Sequence, residues 1–239
     1  QVKKWYFVLR IITSGAFAAA LEKILPLFAK KNDIIYELSY GSSFGEAKDS
    51  IPSRIKNNEQ FDIYFLAEGA INRHHDEGIL DIKTKHNIVS SDIGIAVKNG
   101  AKLNDISSLK SFKETLISAK SIGYAASASG IYLANTVFPK IFNDPDAILK
   151  KSKKILSERV GSVIFRGDVE IGFQQYSELL PIKGIKIIGM LPKEIRKPFI
   201  FGSAMSINSA AEPIYRNLIK FIKHDNSKKY IENSGLKLL

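Results

Sequence analysis

Apolar residues follow two different spacings along the first third of the chain. Continuous aromatic and β-branched runs are typical of buried parallel strands, whereas apolar residues three and four apart indicate helices that pack on one face. The predicted strands are Trp5–Ile12, Ile34–Tyr40 and Phe61–Leu66. The predicted helices are Ala16–Lys31, Phe44–Lys56 with a kink or break at Pro52, and one that ends near Gly78. This alternation of strand and helix predicts a parallel α/β sheet.

A second alternating series follows the long extended run Ile88–Val97, which Asn99-Gly100 closes. Its predicted strands are Ser121–Ala125, Val169–Phe173, Ile185–Ile188 and Phe199–Ile207. Its predicted helices are Gly130–Phe142, Leu156–Phe165, Ala211–Lys223 and Ser227–Asn233, with Gly235 as the C-terminal stop of the last. Two series joined by long extended runs predict two lobes. The first lobe comprises residues 1–88 and returns at 204–239, and the second comprises residues 89–203.

Basic residues outnumber acidic ones by 35 to 24, which gives a formal net charge of +11. The excess favours an anionic partner, although a lysine- and isoleucine-rich genome explains it equally well. The lysines are spread along the chain, without an arginine-rich arm, a zinc-knuckle spacing or a base-stacking motif. We therefore expect a small anion and no nucleic acid. No apolar run approaches the ~18 residues of a membrane span.

The chain has no cysteine, which excludes disulfides, thiol nucleophiles and cysteine metal sites. His74-His75-Asp76-Glu77 has the composition of a metal site. Neighbouring residues on a helix point roughly 100° apart, however, and cannot readily share one ion. We interpret this cluster as a solvated helix end and expect neither a metal nor a cofactor.

Three predicted strands end in small-residue turns that lead into helices. A helix N-terminus presents unpaired N–H groups with a partial positive charge, and serine hydroxyls add uncharged donors. Such turns bind anions, although serine is also a preferred helix cap, which is the alternative interpretation of each turn. The candidate ligand-binding residues in these turns are Ser14, Gly15, Ala16, Ser42, Ser43 and Ser129.

Two further candidates lie in the second series. Arg159, near the start of a predicted helix, has a guanidinium suited to a carboxylate or oxyanion, although most arginines are simply exposed. Gln175 follows a predicted strand within Gln174-Gln175-Tyr176, where ligand binding and turn hydrogen bonding are equally compatible with the pattern.

Gly41-Ser42-Ser43-Phe44-Gly45 fits the Gly-x-Ser-x-Gly elbow of serine hydrolases, between a predicted strand and helix. A catalytic triad also needs a later acid and a histidine. The last histidine, His224, lies on a predicted surface helix, so a hydrolase with Ser43 as nucleophile is a remote alternative.

Taken together, these segments resemble the molybdate-binding branch of the periplasmic solute-binding proteins of ABC transporters. The resemblance runs over nearly the whole chain. It rests on the order and spacing of Ser14-Gly15-Ala16-Phe17, Tyr40-Gly41-Ser42-Ser43-Phe44, Phe61–Glu68, Ser127–Tyr132, Gly167–Phe173, Phe221-Ile222, Lys229-Tyr230-Ile231 and Gly235-Leu236.

The resemblance implies the type II periplasmic-binding-protein fold, with two lobes, each a mixed sheet flanked by helices, and a ligand cleft between them. It implies a monomer that carries a small anion to a membrane permease. It also implies a periplasmic location, with Gln1 following a removed signal peptide. The family's ligand is a molybdate-like tetrahedral oxyanion, held by neutral donors from the loops.

Matched residue by residue, Ser43 falls on a ligand-binding serine of the family and Ser129 on a residue whose backbone amide binds. Ala16 stands where the family has a serine, and Gln175 where it has a tyrosine donor. An amide both donates and accepts, which suits a protonatable organic ligand better than a bare oxyanion. Some relatives on this fold also resemble a periplasmic isomerase of aconitate. A small organic acid, bound or isomerised, is therefore the alternative, and binding without catalysis is the main expectation.

Overall fold

The computed structural model describes residues 7–102 and 104–239, which form two compact units. The first unit consists of residues 7–43, Asp49–Ser90 and Phe199–Leu239, and the second of Phe44–Lys48 and Ser91–Pro198. These boundaries differ from the predicted lobes at three places, one of which is residues 89–90, which belong to the first unit. The short segment Phe44–Lys48 belongs to the second unit, and residues 199–203 belong to the first because their strand pairs there.

The first unit contains a six-stranded mixed sheet in the order β11-β4-β10-β3-β1-β2. Strand β1 pairs in parallel with β2 and β3, as predicted, whereas β10 runs antiparallel to β3. The start of the predicted strand at Trp5 lies outside the described residues. The strands are β1 (Val8–Thr13), β2 (Ile35–Tyr40), β3 (Ile63–Ala67), β4 (Leu80–Ser91), β10 (Phe199–Ser206) and β11 (Lys237–Leu238).

Five helices flank this sheet among the described residues of the first unit. The longest helix buries its apolar stripe, with Phe17 packed 5.3 Å from Phe65 of β3 between ring centroids. The last helix ends, as predicted, just before Gly235 (φ 84°), and the N–H of Leu236 bonds to the carbonyl of Ile231. The helices are α1 (Gly15–Asn32), α2 (Ile51–Lys56), α3 (Glu68–Asp76), α10 (Glu212–Lys223) and α11 (Asp225–Asn233).

The second unit contains a five-stranded mixed sheet in the order β7-β6-β8-β5-β9. Strand β6 pairs in parallel with β7 and β8, and β5 runs antiparallel to β8 and β9. Strand β7 was not predicted, because Ser-Lys-Lys-Ile alternates too weakly to stand out. The strands are β5 (Ile93–Lys98), β6 (Ile122–Ala125), β7 (Ser152–Ile155), β8 (Ile171–Gln175) and β9 (Ile185–Met190).

Helices cover both faces of the second sheet. Phe112 packs edge-on against Phe173 of β8 at 6.1 Å between centroids, and Val160, Val163 and Ile164 are buried in a separate cluster. The predicted helix Gly130–Phe142 is continuous from Ala128 to Ile141, with a π-helical turn at Leu133–Val137. The helices are α4 (Leu109–Ser118), α5 (Ala128–Tyr132), α6 (Phe138–Ile141), α7 (Pro145–Lys150), α8 (Val160–Arg166), α9 (Tyr176–Leu179) and a 3-10 turn (Lys193–Ile195).

Three predicted elements need correction. The helix predicted over Phe44–Lys56 begins only at Ile51, since Pro52 lies in the first turn, where its missing N–H costs no intrahelical hydrogen bond. The helix predicted from Leu156 begins at Val160. The run Ile88–Val97 is the end of β4 followed by β5, which lie in different sheets.

Candidate functional site

Ser14 stands between the end of β1 and the start of α1. Its backbone N–H donates to the carbonyl of Phe65 at 2.8 Å, and its carbonyl accepts from the N–H of Phe17 at 3.3 Å. Its side chain makes no capping hydrogen bond, and its Oγ is buried without a partner among the described residues. The interpretation of Ser14 as a side-chain helix cap therefore lacks the hydrogen bond that defines such a cap.

Gly15 and Ala16 are the first two residues of α1. Ala16 is buried, whereas Gly15 is partly exposed. Ala16 supplies a methyl group where the resembled family has a hydroxyl. Any hydrogen-bond donor that Ala16 supplies is therefore its backbone N–H. The nearby hydroxyl in this turn belongs to Ser14.

Ser42 and Ser43 lie in the loop after β2, which backbone bonds attach to the first sheet. The N–H of Gly41 donates to the carbonyl of Thr13 at 3.1 Å, and the carbonyl of Ser42 accepts from Ile51 at 3.0 Å. The buried Oγ of Ser43 accepts from the backbone N–H of Ala67 at 2.9 Å. This contact uses an oxygen lone pair of Ser43 and leaves the hydroxyl proton available for donation.

The ends of three parallel strands therefore meet in the first unit. Ser14 follows β1 and contacts β3, Gly41 contacts β1, and Ser43 contacts the end of β3. In open α/β sheets, ligands bind at the carboxyl ends of the strands. The structure brings the predicted residues of this unit to that edge.

In the second unit, Ser129 lies in the first turn of α5 and is fully buried. Its Oγ is 3.5 Å from the Oγ of Ser127, and the carbonyl of Ser127 accepts from the N–H of Ile131 at 2.9 Å. At the next residue, Gly130, a Cβ would collide with the carbonyl of Ala125. Only glycine therefore lets α5 start this close to the end of β6.

Gln175 is the last residue of β8 and the residue that precedes α9. Its side chain is 2% exposed, and neither Nε2 nor Oε1 has a partner among the described residues. A buried amide without partners costs free energy for each unpaired group, on the order of 1–3 kcal/mol. Turn hydrogen bonding, the alternative function of this side chain, is not observed.

Arg159 makes an intramolecular contact: its guanidinium donates to the carbonyl of Glu178 at 3.1 Å. The side chain of Gln174 lies beside this contact. Its Oε1 accepts from the N–H of Val160 at 2.8 Å, and its Nε2 donates to the carboxyl of Glu178 at 3.1 Å. The N–H of Val160, at the start of α8, is thus already bonded to Gln174.

Burial raises the pKa of the Glu178 carboxyl to about 7, opposed by the charge of Arg159 and the hydrogen bond from Gln174. Sequence reasoning missed Glu178. The signal available was its spacing of four residues from Gln174, which juxtaposes side chains where a chain turns helically.

The four histidines have partners or neighbours of their own. The ring of His74 bonds to the carboxyl of Glu77 at 2.7 Å, and that of His75 to the carbonyl of Leu80 at 3.1 Å. His86 packs against Tyr215, and His224 accepts from the N–H of Asn226. Within the described part of the chain, no histidine bonds to Ser43, and no group of histidines and carboxylates could hold a metal.

A family match extends over nearly the whole chain. A family model described as bacterial extracellular solute-binding protein matches residues 9–237, and the chain belongs to this family. The predicted fold class is confirmed, since two mixed sheets flanked by helices match the two-lobed periplasmic binding proteins. Among the residues that the structure describes, no helix has the length and apolarity of a membrane span.

Three comparisons illustrate the relationship. The chain is 32% identical over 229 residues to an aconitate isomerase from Pseudomonas sp., covering 96% of this chain and 87% of that protein. The periplasmic molybdate-binding protein of Azotobacter vinelandii is similar in structure, with a TM-score of 0.75, 16% identity and coverage of 97% and 99%. The sulfate-binding protein SubI of Mycobacterium tuberculosis has a TM-score of 0.74, 12% identity and coverage of 98% and 88%.

Proposed function

We propose that this chain is the solute-binding protein of an ABC importer and binds a small organic acid of the aconitate class. The observation that carries the proposal is the side chain of Gln175, buried with both amide atoms unpartnered. A ligand that brings an acceptor and a donor to this amide removes two desolvation penalties at once. A partly protonated polycarboxylate offers both groups, whereas a fully deprotonated tetrahedral oxyanion offers acceptors alone.

The other candidate residues supply donors to the carboxylates in this proposal. Ser14 and Ser43 donate their hydroxyl protons, and Gly15, Ala16, Ser42 and Ser129 contribute backbone N–H groups. Arg159 adds a charge while it stays bonded to the carbonyl of Glu178. The net charge of +11 raises the rate at which an anion meets the protein. The aconitate isomerase that is 32% identical supports the choice of ligand class.

A molybdate-like oxyanion is the second candidate. It is favoured by the hydroxyl of Ser43, whose oxygen is fixed by Ala67 so that its proton is available to an acceptor. The molybdate-binding neighbour shares the fold at 16% identity, which bears on the architecture and not on the ligand.

Isomerisation of the bound acid is a further step that the named relative suggests. It requires a group that moves a proton at the ligand. Binding is the simpler function, and it is the one for which the structure supplies donors. We infer a periplasmic location, a membrane permease as partner and a monomeric state from the family, whose description is extracellular.

Thermal unfolding with a ligand panel tests the proposal. The panel contains cis-aconitate, trans-aconitate, citrate, molybdate, tungstate, sulfate and phosphate. A ligand at ~100 times its Kd adds about 2.7 kcal/mol to stability, which raises Tm by roughly 5–10 °C in a chain of this size. A rise with the organic acids supports the proposal, and a rise with molybdate or tungstate alone supports the second candidate. Conversion between the two aconitates, followed by absorbance, distinguishes an enzyme from a binding protein.

A further inference from the structure

A partly buried polar network closes the turn that carries Gln175. Gln174 and Glu178 lie four residues apart, and the hydrogen bond from Nε2 of Gln174 to Oε1 of Glu178 is 3.1 Å long. Gln175 and Tyr176 lie inside the loop that this bond closes. The same Gln174 side chain bonds through Oε1 to Val160, at 2.8 Å. The turn between β8 and α9 is thereby joined to the start of α8.

Arg159 joins the network from the opposite side. Its guanidinium donates to the backbone carbonyl of Glu178. Glu178, a residue of α9, therefore accepts hydrogen bonds both from Arg159, a candidate ligand-binding residue, and from the side-chain amide of Gln174. The packing around α8 is close at two glycines. A Cβ at Gly172 would lie 2.6 Å from a methyl group of Val160, and one at Gly161 would lie 2.8 Å from Ile182. The side chain of Glu178 is therefore connected through Gln174 to the turn of Gln175 and to the start of α8, next to Arg159.

We propose that Glu178 is a positioning residue for ligand binding: its carboxylate holds Gln174, and with it the turn of Gln175 and the start of α8, from which Arg159 extends. The inference rests on the proposed function, because it takes Gln175 and Arg159 as ligand residues. A hydrogen bond to an ionised acceptor is stronger than one to a neutral acceptor. The network is consequently tightest when Glu178 is ionised, and the contribution of Glu178 to binding is largest above neutral pH.

The charged groups around Glu178 support this pH dependence. Arg159 faces it from the start of α8, and Gln174, which does not titrate, faces it from β8. Strand β5 also packs on α9, but its one charged residue, Lys98, lies at the far end of the strand over the ring of Phe165. The pKa of Glu178, about 7, puts the change of charge near neutral pH.

The test compares Kd for cis-aconitate in the parent, Glu178→Gln, Glu178→Leu and the exposed control Glu194→Gln, at pH 5.5 and pH 8.5 by calorimetry. We expect Glu178→Gln to bind about three- to tenfold more weakly than the parent at pH 8.5 and equally at pH 5.5, where both side chains are neutral. Glu178→Leu cannot accept from Gln174, so it binds about tenfold more weakly at both pH values. Ionisation of the ligand is common to all variants and cancels in these ratios.

A ratio between Glu178→Gln and the parent that is the same at both pH values would overturn the inference. A second measurement needs no ligand: the side-chain amide signals of Gln174 in NMR should shift with a midpoint near pH 7 in the parent and stay constant in Glu178→Gln. Constant signals in the parent would overturn the inference even if cis-aconitate binds. A parent that binds none of the panel contradicts the proposed function, and the Gln174 titration then decides alone whether the network exists.

Discussion

The hydroxyl oxygen of Ser43 accepts a hydrogen bond of 2.9 Å from the backbone N–H of Ala67, the last residue of β3. A loop that follows β2 is thereby fixed to the end of a strand two positions away in the sheet. The contact orients a buried hydroxyl whose proton is not used by Ala67. The hydroxyl of Ser43 thus links the loop to β3 through its oxygen and keeps its proton as a donor for a ligand.

Replacement of Ser43 by alanine is expected to weaken both folding and binding. The variant leaves the N–H of Ala67 buried without its acceptor, which costs about 1–3 kcal/mol of unfolding free energy. It also removes the proposed donor and weakens cis-aconitate binding about tenfold or more. Denaturant unfolding and calorimetry measure the two effects. Ser118→Ala is the control: Ser118 is exposed at the end of α4 and donates only a local bond to the carbonyl of Thr115, so its removal should leave binding unchanged and change stability little.

Replacement of Gln175 by leucine is expected to raise the stability of the ligand-free protein and to abolish ligand binding. The variant removes two buried polar atoms that lack partners, so the ligand-free protein should gain about 1 kcal/mol or more of stability. Ligand binding should fall below detection in the same variant. A stabilised variant that binds as well as the parent would remove Gln175 from the site, and a destabilised one would mean that its amide has a structural partner.

The stability of the protein should depend on pH through Glu178. Its pKa of about 7 in the folded state exceeds the ordinary 4.5, so the folded state binds the proton more tightly. The unfolding free energy therefore decreases as pH rises from 4.5 to 7, by up to about 3 kcal/mol, and stays lower above pH 7. Glu178→Gln should remove this decrease, so it is more stable than the parent at pH 8.5 and equal to it near pH 4.5. Urea midpoints across this pH range provide the measurement, and parallel curves for the two proteins would contradict it.

Gly45 should not tolerate a side chain. Its φ of 102° is strained for other residues, and a Cβ there would collide with the carbonyl of Ala126. Gly100 has a similar φ of 81° but open space around it, so it is a matched control for strain alone. Gly45→Ala is expected to lower stability by about 1–3 kcal/mol more than Gly100→Ala. Equal losses in the two variants would mean that the loop shifts away from Ala126 without cost.

Much of the architecture follows from local patterns, and the exceptions have a common cause. The apolar run that became β1 and the spacing of α1 report burial, which the sequence encodes directly. The run Ile88–Val97 is mostly buried, yet it is split between two strands of different sheets. Periodicity indicates that a residue is buried but does not identify the strand with which it pairs. Pro52 shows the same limit, because proline fits either a kink or a first helical turn.

The candidate site was predictable in part for a similar reason. Serines after strands stand out in the sequence, and the structure brings Ser14 and Ser43 to one edge of the first sheet. The acceptor for the N–H of Val160 comes from Gln174, fourteen residues away, and no local rule specifies that pairing. Whether a polar residue is left for a ligand or is bonded within the protein depends on tertiary neighbours, which the sequence alone does not give.

Each unit is built from separate stretches of the chain, and this affects the order in which the two units form during synthesis. In the first sheet, β10 stands between β4 and β3, although it comes more than a hundred residues after them in the chain. Every strand of the second sheet, by contrast, has been translated by Met190. A nascent chain therefore completes the second sheet while the first still has a gap in its middle. The unit that contains the start of the chain is the last to close, and until then β3 and β4 expose edges that chaperones would have to protect.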